Sequence, residues 1–481
     1  MAVMRDSTTA APASDAPGDP RRHVVFVILA SAMLIFNMQF GMIAVALGPI
    51  TEGLHAPLRW SGWVLTMFLL GMVIAQPIGG GLAERFGARA VFVGGLFVFT
   101  LGSVVCALAP NVGVLILGRL VQGLAGGGLT PAAISLIGEV YGAGRTRAIG
   151  LYASMMPFGA VLGPVVGGVI IDLAGWRSTF AINAPVGAVA CVLAFLVLPP
   201  GARQPARKSD LPGIALIAVF ITSFIFALTE LGRRDAPPDM WLVVGAFALF
   251  AVALTLFVKQ ERRAEVPVVD LGLVLRPPFA ATYVLSLAFG MGWQGIVSII
   301  PLYAQEGYGL SVAQSGTLSG PRGFVMVGFS AISSMLLYRT GFRKPIAVGL
   351  VGLGLVIGLI SLGIREPRIG GIVVSDFWWL LIVVSSAGIF YGFAVPSLNN
   401  AGLDLAPDRI ATLVGLRGMF HSLGGMVGIA LAVLITSRGS STEAGLEQAF
   451  ATIGVLAILS TICVLWVPEL SATARAAAER R

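Results

Sequence analysis

Fourteen apolar stretches, each near the length that crosses a bilayer, follow one another through this chain of 481 residues. A hydrocarbon core about 30 Å thick takes roughly 20 apolar residues of α-helix to span. Lipid offers no partner to a free N–H or C=O, so each stretch must satisfy its own backbone as a helix. The stretches lie near 24–50, 58–80, 90–109, 112–138, 147–171 and 178–198, then near 211–231 and 240–258, then near 278–303, 313–337, 345–364, 377–402, 410–436 and 447–468. The expected fold class is an all-α polytopic membrane protein with 14 transmembrane helices. Composition matters for the surface. Charged residues are 11% of the chain and hydrophobic ones 57%, whereas a soluble domain carries about 25% charged residues. A water-facing surface cannot be covered from that supply, so lipid is an expected partner.

The formal net charge of +8 raises nucleic acid as a partner. The basic residues are spread over short loops with no aromatic-interleaved face, so no nucleic-acid partner is expected. Cys106, Cys191 and Cys463 each sit in an apolar run without a spacing partner, which points to neither a disulfide nor a metal site. Residues 1–23 are polar, too hydrophilic for a signal peptide, and are read as a cytoplasmic tail. An even number of spans puts both termini on one side. That side carries 21 Lys and Arg residues in loops and tails, the other only 7. By the positive-inside rule both termini are expected in the cytoplasm.

The chain also repeats itself. A shift of 265 positions pairs Gly127 with Gly392, Pro131 with Pro396, Glu139 with Asp404, Gly150 with Gly415, Leu151 with Leu416, Gly159 with Gly424 and Gly163 with Gly428. A second echo sets Arg85-Phe86-Gly87-Ala88-Arg89 beside Arg339-Thr340-Gly341-Phe342-Arg343. An unbroken register across two helices implies two homologous six-helix bundles, an arrangement found in transporters. The expected domains are a tail at 1–23, a bundle at 24–198, a linker with two extra spans at 199–277, a bundle at 278–468 and a tail at 469–481.

Three motifs carry a family resemblance. After the second span stands Gly80-Gly81-Leu82-Ala83-Glu84-Arg85-Phe86-Gly87-Ala88-Arg89, a short acid–base loop able to latch one face of the protein. The fourth span carries Gly118-Arg119-Leu120-Val121-Gln122-Gly123, with an arginine inside the bilayer, where a charge is costly and marks a functional candidate. The fifth span carries Gly159, Gly163, Pro164, Gly167 and Gly168, whose four-residue spacing makes a flat helix face. The chain resembles the major facilitator superfamily, and within it the fourteen-helix drug:proton antiporters, from about residue 24 to 468. The resemblance implies the major facilitator fold, a gating loop at Gly80, Glu84, Arg85, Gly87 and Arg89, and an antiporter motif at Gly159–Gly168. It also implies a cavity lined by the first and fourth spans and by those beginning near 278 and 377.

The chain departs from that family in its acids. Where the first span of the family carries a buried Asp, Gln39 stands here, beside the equally neutral Asn37. An amide cannot take up and release a proton as a carboxylate does. No Asp or Glu falls in the middle third of any span, whereas Arg119, Arg322, Arg417 and His421 lie within spans. A basic interior favours neutral or anionic amphipathic substrates over lipophilic cations. His421 is the one interior group that titrates near neutral pH. Further candidates for the substrate or proton path are Gln122, Tyr283, Trp293, Gln294, Tyr391, Asn399 and Asn400.

The functional expectation is a secondary transporter of the bacterial cytoplasmic membrane that exports amphipathic small molecules by alternating access. It would need no cofactor, draw on a proton gradient and act as a monomer. An organic-anion importer or exchanger with non-standard coupling is the alternative, favoured by the basic interior. No nucleophile, metal cluster or acid–base pair points to an enzyme, and no Gly-x-x-x-x-Gly-Lys-Ser/Thr loop points to ATP coupling.

Overall fold

The computed structural model describes residues 21–141, 145–199, 210–233, 237–265, 267–296, 298–402, 405 and 410–469. Among the described residues the regular structure is helical apart from a two-residue antiparallel ladder, β1 (Arg368–Ile369) with β2 (Ile372–Val373), in the loop after the eleventh expected span. The helices follow the apolar stretches. The first group is α1 (Arg21–Gly53), α2 (Leu58–Phe86), α3 (Ala88–Ala107), α4 (Val112–Tyr141), α5 (Arg145–Ala174), α6 (Ser178–Ala181) and α7 (Asn183–Val197). Next come α8 (Leu211–Leu231), α9 (Met240–Glu261) and the short α10 (Leu271–Val274). The last group is α11 (Pro277–Gly290), a π-helical turn (Met291–Gly295), α12 (Ile300–Tyr308), α13 (Val312–Thr317), α14 (Gly320–Thr340), α15 (Arg343–Ile360), α16 (Asp376–Asn400), α17 (Ile410–Arg438) and α18 (Thr442–Ser460).

Among the described residues, 12 helices are long and apolar enough to cross a membrane. The expectation was 14. The difference lies in α2 and α5, helices of 29 and 30 residues, whose apolar parts are the shorter Trp60–Gln76 and Phe158–Ala174. The outer surface is the reverse of a soluble one: Leu173, Leu196, Trp241 and Met335 all stand exposed.

Local chemistry sets the helix ends. Asp210 begins α8 by accepting from the Gly213 amide at 3.1 Å, and Asp239 begins α9 by accepting from the Trp241 amide at 3.0 Å. Ser311 and Gln314 form a capping box at α13. The α2–α3 turn passes through Gly87 at φ +90° and the α14–α15 turn through Gly341 at φ +69°, a backbone region that favours glycine.

Helix packing repeats with the sequence. On α5, a Cβ at Gly159 or Gly163 would lie 2.8 Å from the Leu34 carbonyl oxygen or 2.4 Å from that of Met38, both on α1. On α17, a Cβ at Gly424 or Gly428 would lie 1.9 Å from the Leu287 oxygen or 2.8 Å from that of Met291. The α2–α4 and α14–α16 pairs match in the same way: Gly123 meets the Phe68 carbonyl and Gly388 the Arg322 carbonyl. The helix pair α8–α9 packs together, with α8 lying against both α2 and α17.

Candidate functional site

The expected path residues divide into four settings. On α4, Arg119 is fully buried. Its Nε donates to the Val64 carbonyl at 2.9 Å, its Nη1 donates to Gln122 Oε1 at 2.8 Å, and the guanidinium lies 4.1 Å over the Phe68 ring. Gln122 Nε2 in turn donates to Ser103 Oγ at 2.7 Å. This network pins α2, α3 and α4 together. Arg119 is therefore not a snorkelling side chain, because no atom of it reaches the surface.

Gln39 on α1 is also fully buried and accepts a hydrogen bond from Asn183 Nδ2 at the start of α7, while its own Nε2 has no partner. Asn37 is turned back on its helix, donating to the Met33 carbonyl at 2.8 Å. The expected pair of neutral groups thus separates into one inter-helix contact and one local one.

Arg417 and the two asparagines form an end cap. Arg417 Nη1 donates to the Asn399 carbonyl and Nη2 to the Ala401 carbonyl at 3.1 Å, satisfying free carbonyls at the end of α16. The Asn399 and Asn400 side chains are exposed, and Asn400 Nδ2 donates to the Pro396 carbonyl at 2.8 Å. Tyr283 stacks on Phe420 with ring centroids 5.1 Å apart. These residues brace one end of the last helix group.

The fourth setting draws candidates from four segments together. Arg322 of α14 lies with its guanidinium 4.2 Å over the Trp293 ring, supplied by the π-helical turn. Trp293 stacks on Tyr391 of α16 at 3.9 Å, and the Tyr391 hydroxyl meets Nε2 of the half-buried His421 on α17 at 3.4 Å. Gln294 presents a buried Oε1 without a partner against Gly425. Sequence spacing alone could not join these side chains, since α11, α14, α16 and α17 meet only in the folded bundle.

The expected antiporter motif faces two ways. Gly159, Gly163 and Gly167 lie on α1, while a Cβ at Gly168 would come 2.9 Å from Ala313 Cα, and one at Gly316 would come 2.2 Å from the Pro164 carbonyl oxygen. Other contacts join the halves at this same end. Gln305 Nε2 donates to the Val45 carbonyl at 3.3 Å and to Ser315 Oγ at 2.9 Å, and Asp172 Oδ2 accepts from the Ala313 amide at 3.1 Å. Trp63 Nε1 donates to Thr229 Oγ1 at 2.7 Å, and Arg438 Nη2 donates to the Leu231 carbonyl at 3.1 Å, so α8 bridges α2 and α17 there. Sequence reading missed the roles of Thr229, Gln305 and Asn183; Asn183 and Gln305 stand in stretches that also resemble the fourteen-helix family, and Thr229 is a polar residue near the end of an apolar span.

In the expected gating loop, Gly80 and Glu84 lie on α2, but their surroundings fall outside the described residues. Arg85 is exposed beside Phe86. Arg89 stacks 5.1 Å from the Phe195 ring and donates to the Phe195 carbonyl near the end of α7. Its counterpart in the echo, Arg343, donates to the Val467 carbonyl at 2.8 Å near the end of the last span. An apolar cleft of about 600 Å³ opens between α3 and α7 beside Arg89, away from the aromatic cluster.

Known proteins place these features in a lineage. The chain is 29% identical over 385 residues to the multidrug resistance protein B homolog of Mycobacterium tuberculosis, covering 79% of this chain and 70% of that one. It is 27% identical over 464 residues to the methylenomycin A resistance protein of Bacillus subtilis, covering 95% and 96% of the two chains. A probable actinorhodin transporter of Streptomyces coelicolor is 29% identical over 436 residues, covering 89% and 74%. Residues 29–366 match the sequence pattern of the Major Facilitator Superfamily, and with its repeated helix pairs this multi-pass membrane protein belongs to that family.

Proposed function

We propose that this chain is a fourteen-span exporter of amphipathic small molecules, neutral or anionic in preference to cationic, working by alternating access in the bacterial cytoplasmic membrane. The observation that carries the reading is the two-sided glycine face of α5, packed on α1 within one half and on α13 across to the other. Such a face lets two rigid halves close on each other at one end. The named relatives, which include resistance proteins and an actinorhodin transporter, support efflux as the direction. In this reading α2 and α5 complete the spans, residues 24–198 and 278–468 are the moving halves, and both termini are cytoplasmic. The protein is a monomeric carrier rather than an enzyme.

The energy source in this reading is the proton gradient, with no bound cofactor. The Tyr391–His421 contact supports a proton route that does not need a carboxylate at Gln39. Substrate-dependent proton flux in proteoliposomes, across cationic, neutral and anionic compounds, tests coupling and charge preference together. Flux with anions and neutral compounds is expected. Flux with quaternary ammonium compounds alone overturns the charge preference. The second reading, an organic-anion importer or exchanger, is favoured by the buried Arg322. Whole-cell accumulation decides the direction: deleting an exporter raises accumulation, and deleting an importer lowers it.

A further inference from the structure

Arg322 is 5% exposed, yet its Nε and Nη1 are buried without a hydrogen-bond partner. The other two intramembrane arginines bond protein oxygens: Arg119 to Val64 and Gln122, Arg417 to Asn399 and Ala401. Among the described residues Arg322 also pairs with no carboxylate. Three ion pairs seen among the described residues, Arg233–Glu230, Arg343–Glu469 and Arg365–Glu443, lie at helix ends and in loops. A buried charge is held against a steep desolvation penalty unless a counter-charge meets it.

The surroundings point the group toward a ligand. The contact of its Cζ with the Trp293 ring face, 4.2 Å from the centroid, holds the guanidinium without using its Nε and Nη1 donors. Trp293 is delivered by a π-helical turn, an irregularity that recurs at functional sites. Two residues before it on α14, a Cβ at Gly320 would meet Val165 of α5 at 3.2 Å, so the first turn of the helix that carries Arg322 packs on the other half.

We propose that Arg322 binds the anionic group of an amphipathic organic acid, a carboxylate or sulfonate, and so sets the charge specificity of the transporter. This rests on the transport reading above and narrows it from tolerated anions to a single guanidinium that reads them. The substrate's acid group accepts hydrogen bonds from the free N–H donors and neutralises the buried cation. No bond is made or broken and no proton is transferred.

The test uses the full chain in phosphatidylcholine nanodiscs, measuring equilibrium binding of naphthoate, anthracene carboxylate and naphthalenesulfonate, each beside its uncharged methyl ester. Wild type is expected to favour the acids by about 10- to 100-fold, the span of a hydrogen-bonded charge. Arg322→Met removes the buried charge without leaving a hole and is expected to fold. It should lose the acid preference, the ratio of acid to ester affinity falling to near one, while Arg322→Lys should keep part of it. An acid preference that survives in Arg322→Met overturns the assignment. So does a wild type that shows no preference for acids anywhere in the panel. Whole-cell efflux is read separately: a chain that exports but prefers esters or amines keeps the transport reading and loses this one.

Discussion

Gln39 and Arg119 differ in how much freedom their surroundings leave. Gln39 uses only its oxygen, toward Asn183, and its Nε2 is unpartnered. An acid of the same shape therefore loses no hydrogen bond. Gln39→Glu is expected to fold normally and to add a titrating group to α1, so that transport becomes more strongly dependent on an imposed pH gradient. Proton flux in proteoliposomes checks this; a flux unchanged from wild type would exclude it. Arg119 uses Nε, Nη1 and the face of its guanidinium. Lysine cannot reproduce that fork, so Arg119→Lys should cost about 2 kcal/mol, seen as a lower thermal midpoint in detergent. Both residues were legible in the sequence as unusual, but their partners were not. Val64 and Asn183 become partners only through helix rotation. The three interior arginines looked alike for the same reason, and only packing separates the pinned Arg119, the capping Arg417 and the unpartnered Arg322.

At the scale of helices, the glycine faces carry different loads. Gly163 touches α1 of its own half, and Gly316 touches α5 of the other half. An alanine methyl at Gly163 would press on the backbone of Met38, which cannot yield as a side chain can. Gly163→Ala should therefore destabilise the protein by about 1–3 kcal/mol. Gly316→Ala should leave each half intact and push the halves apart. It is expected to raise thiol labelling of cysteines introduced near Ser311 and Asp172 without lowering the thermal midpoint to the same degree. The four-residue spacing announced a close contact, and the 265-residue shift announced that it occurs twice. Which helix each glycine meets was not legible, because one α5 motif serves two neighbours on two faces. The π-helical turn was also hidden: Met291–Gly295 reads as ordinary apolar helix, and the deviation arises where α11 is crossed closely by Gly424 and Gly428 of α17.

The whole molecule joins its halves through the α5–α13, α1–α12 and α2–α17 contacts at one end, and α8 lies across the last of these. The apolar pattern located α8 and α9 but gave them no role, since nothing in the repeat corresponds to them. Their position follows from long-range contacts such as Trp63 with Thr229, 166 residues apart. Trp63→Phe keeps the ring packing and removes that hydrogen bond, worth about 1 kcal/mol. The expected result is a modest rise in labelling at the closed end, with substrate binding unchanged. Because α8 holds α2 through Trp63 and α17 through Arg438, it is tied to both halves at the same end. A leash fastened on both banks limits how far the two can part. If the halves part at this end as the proposed alternating access requires, the added helix pair sets how far: a chain without it is expected to open further there and admit bulkier compounds.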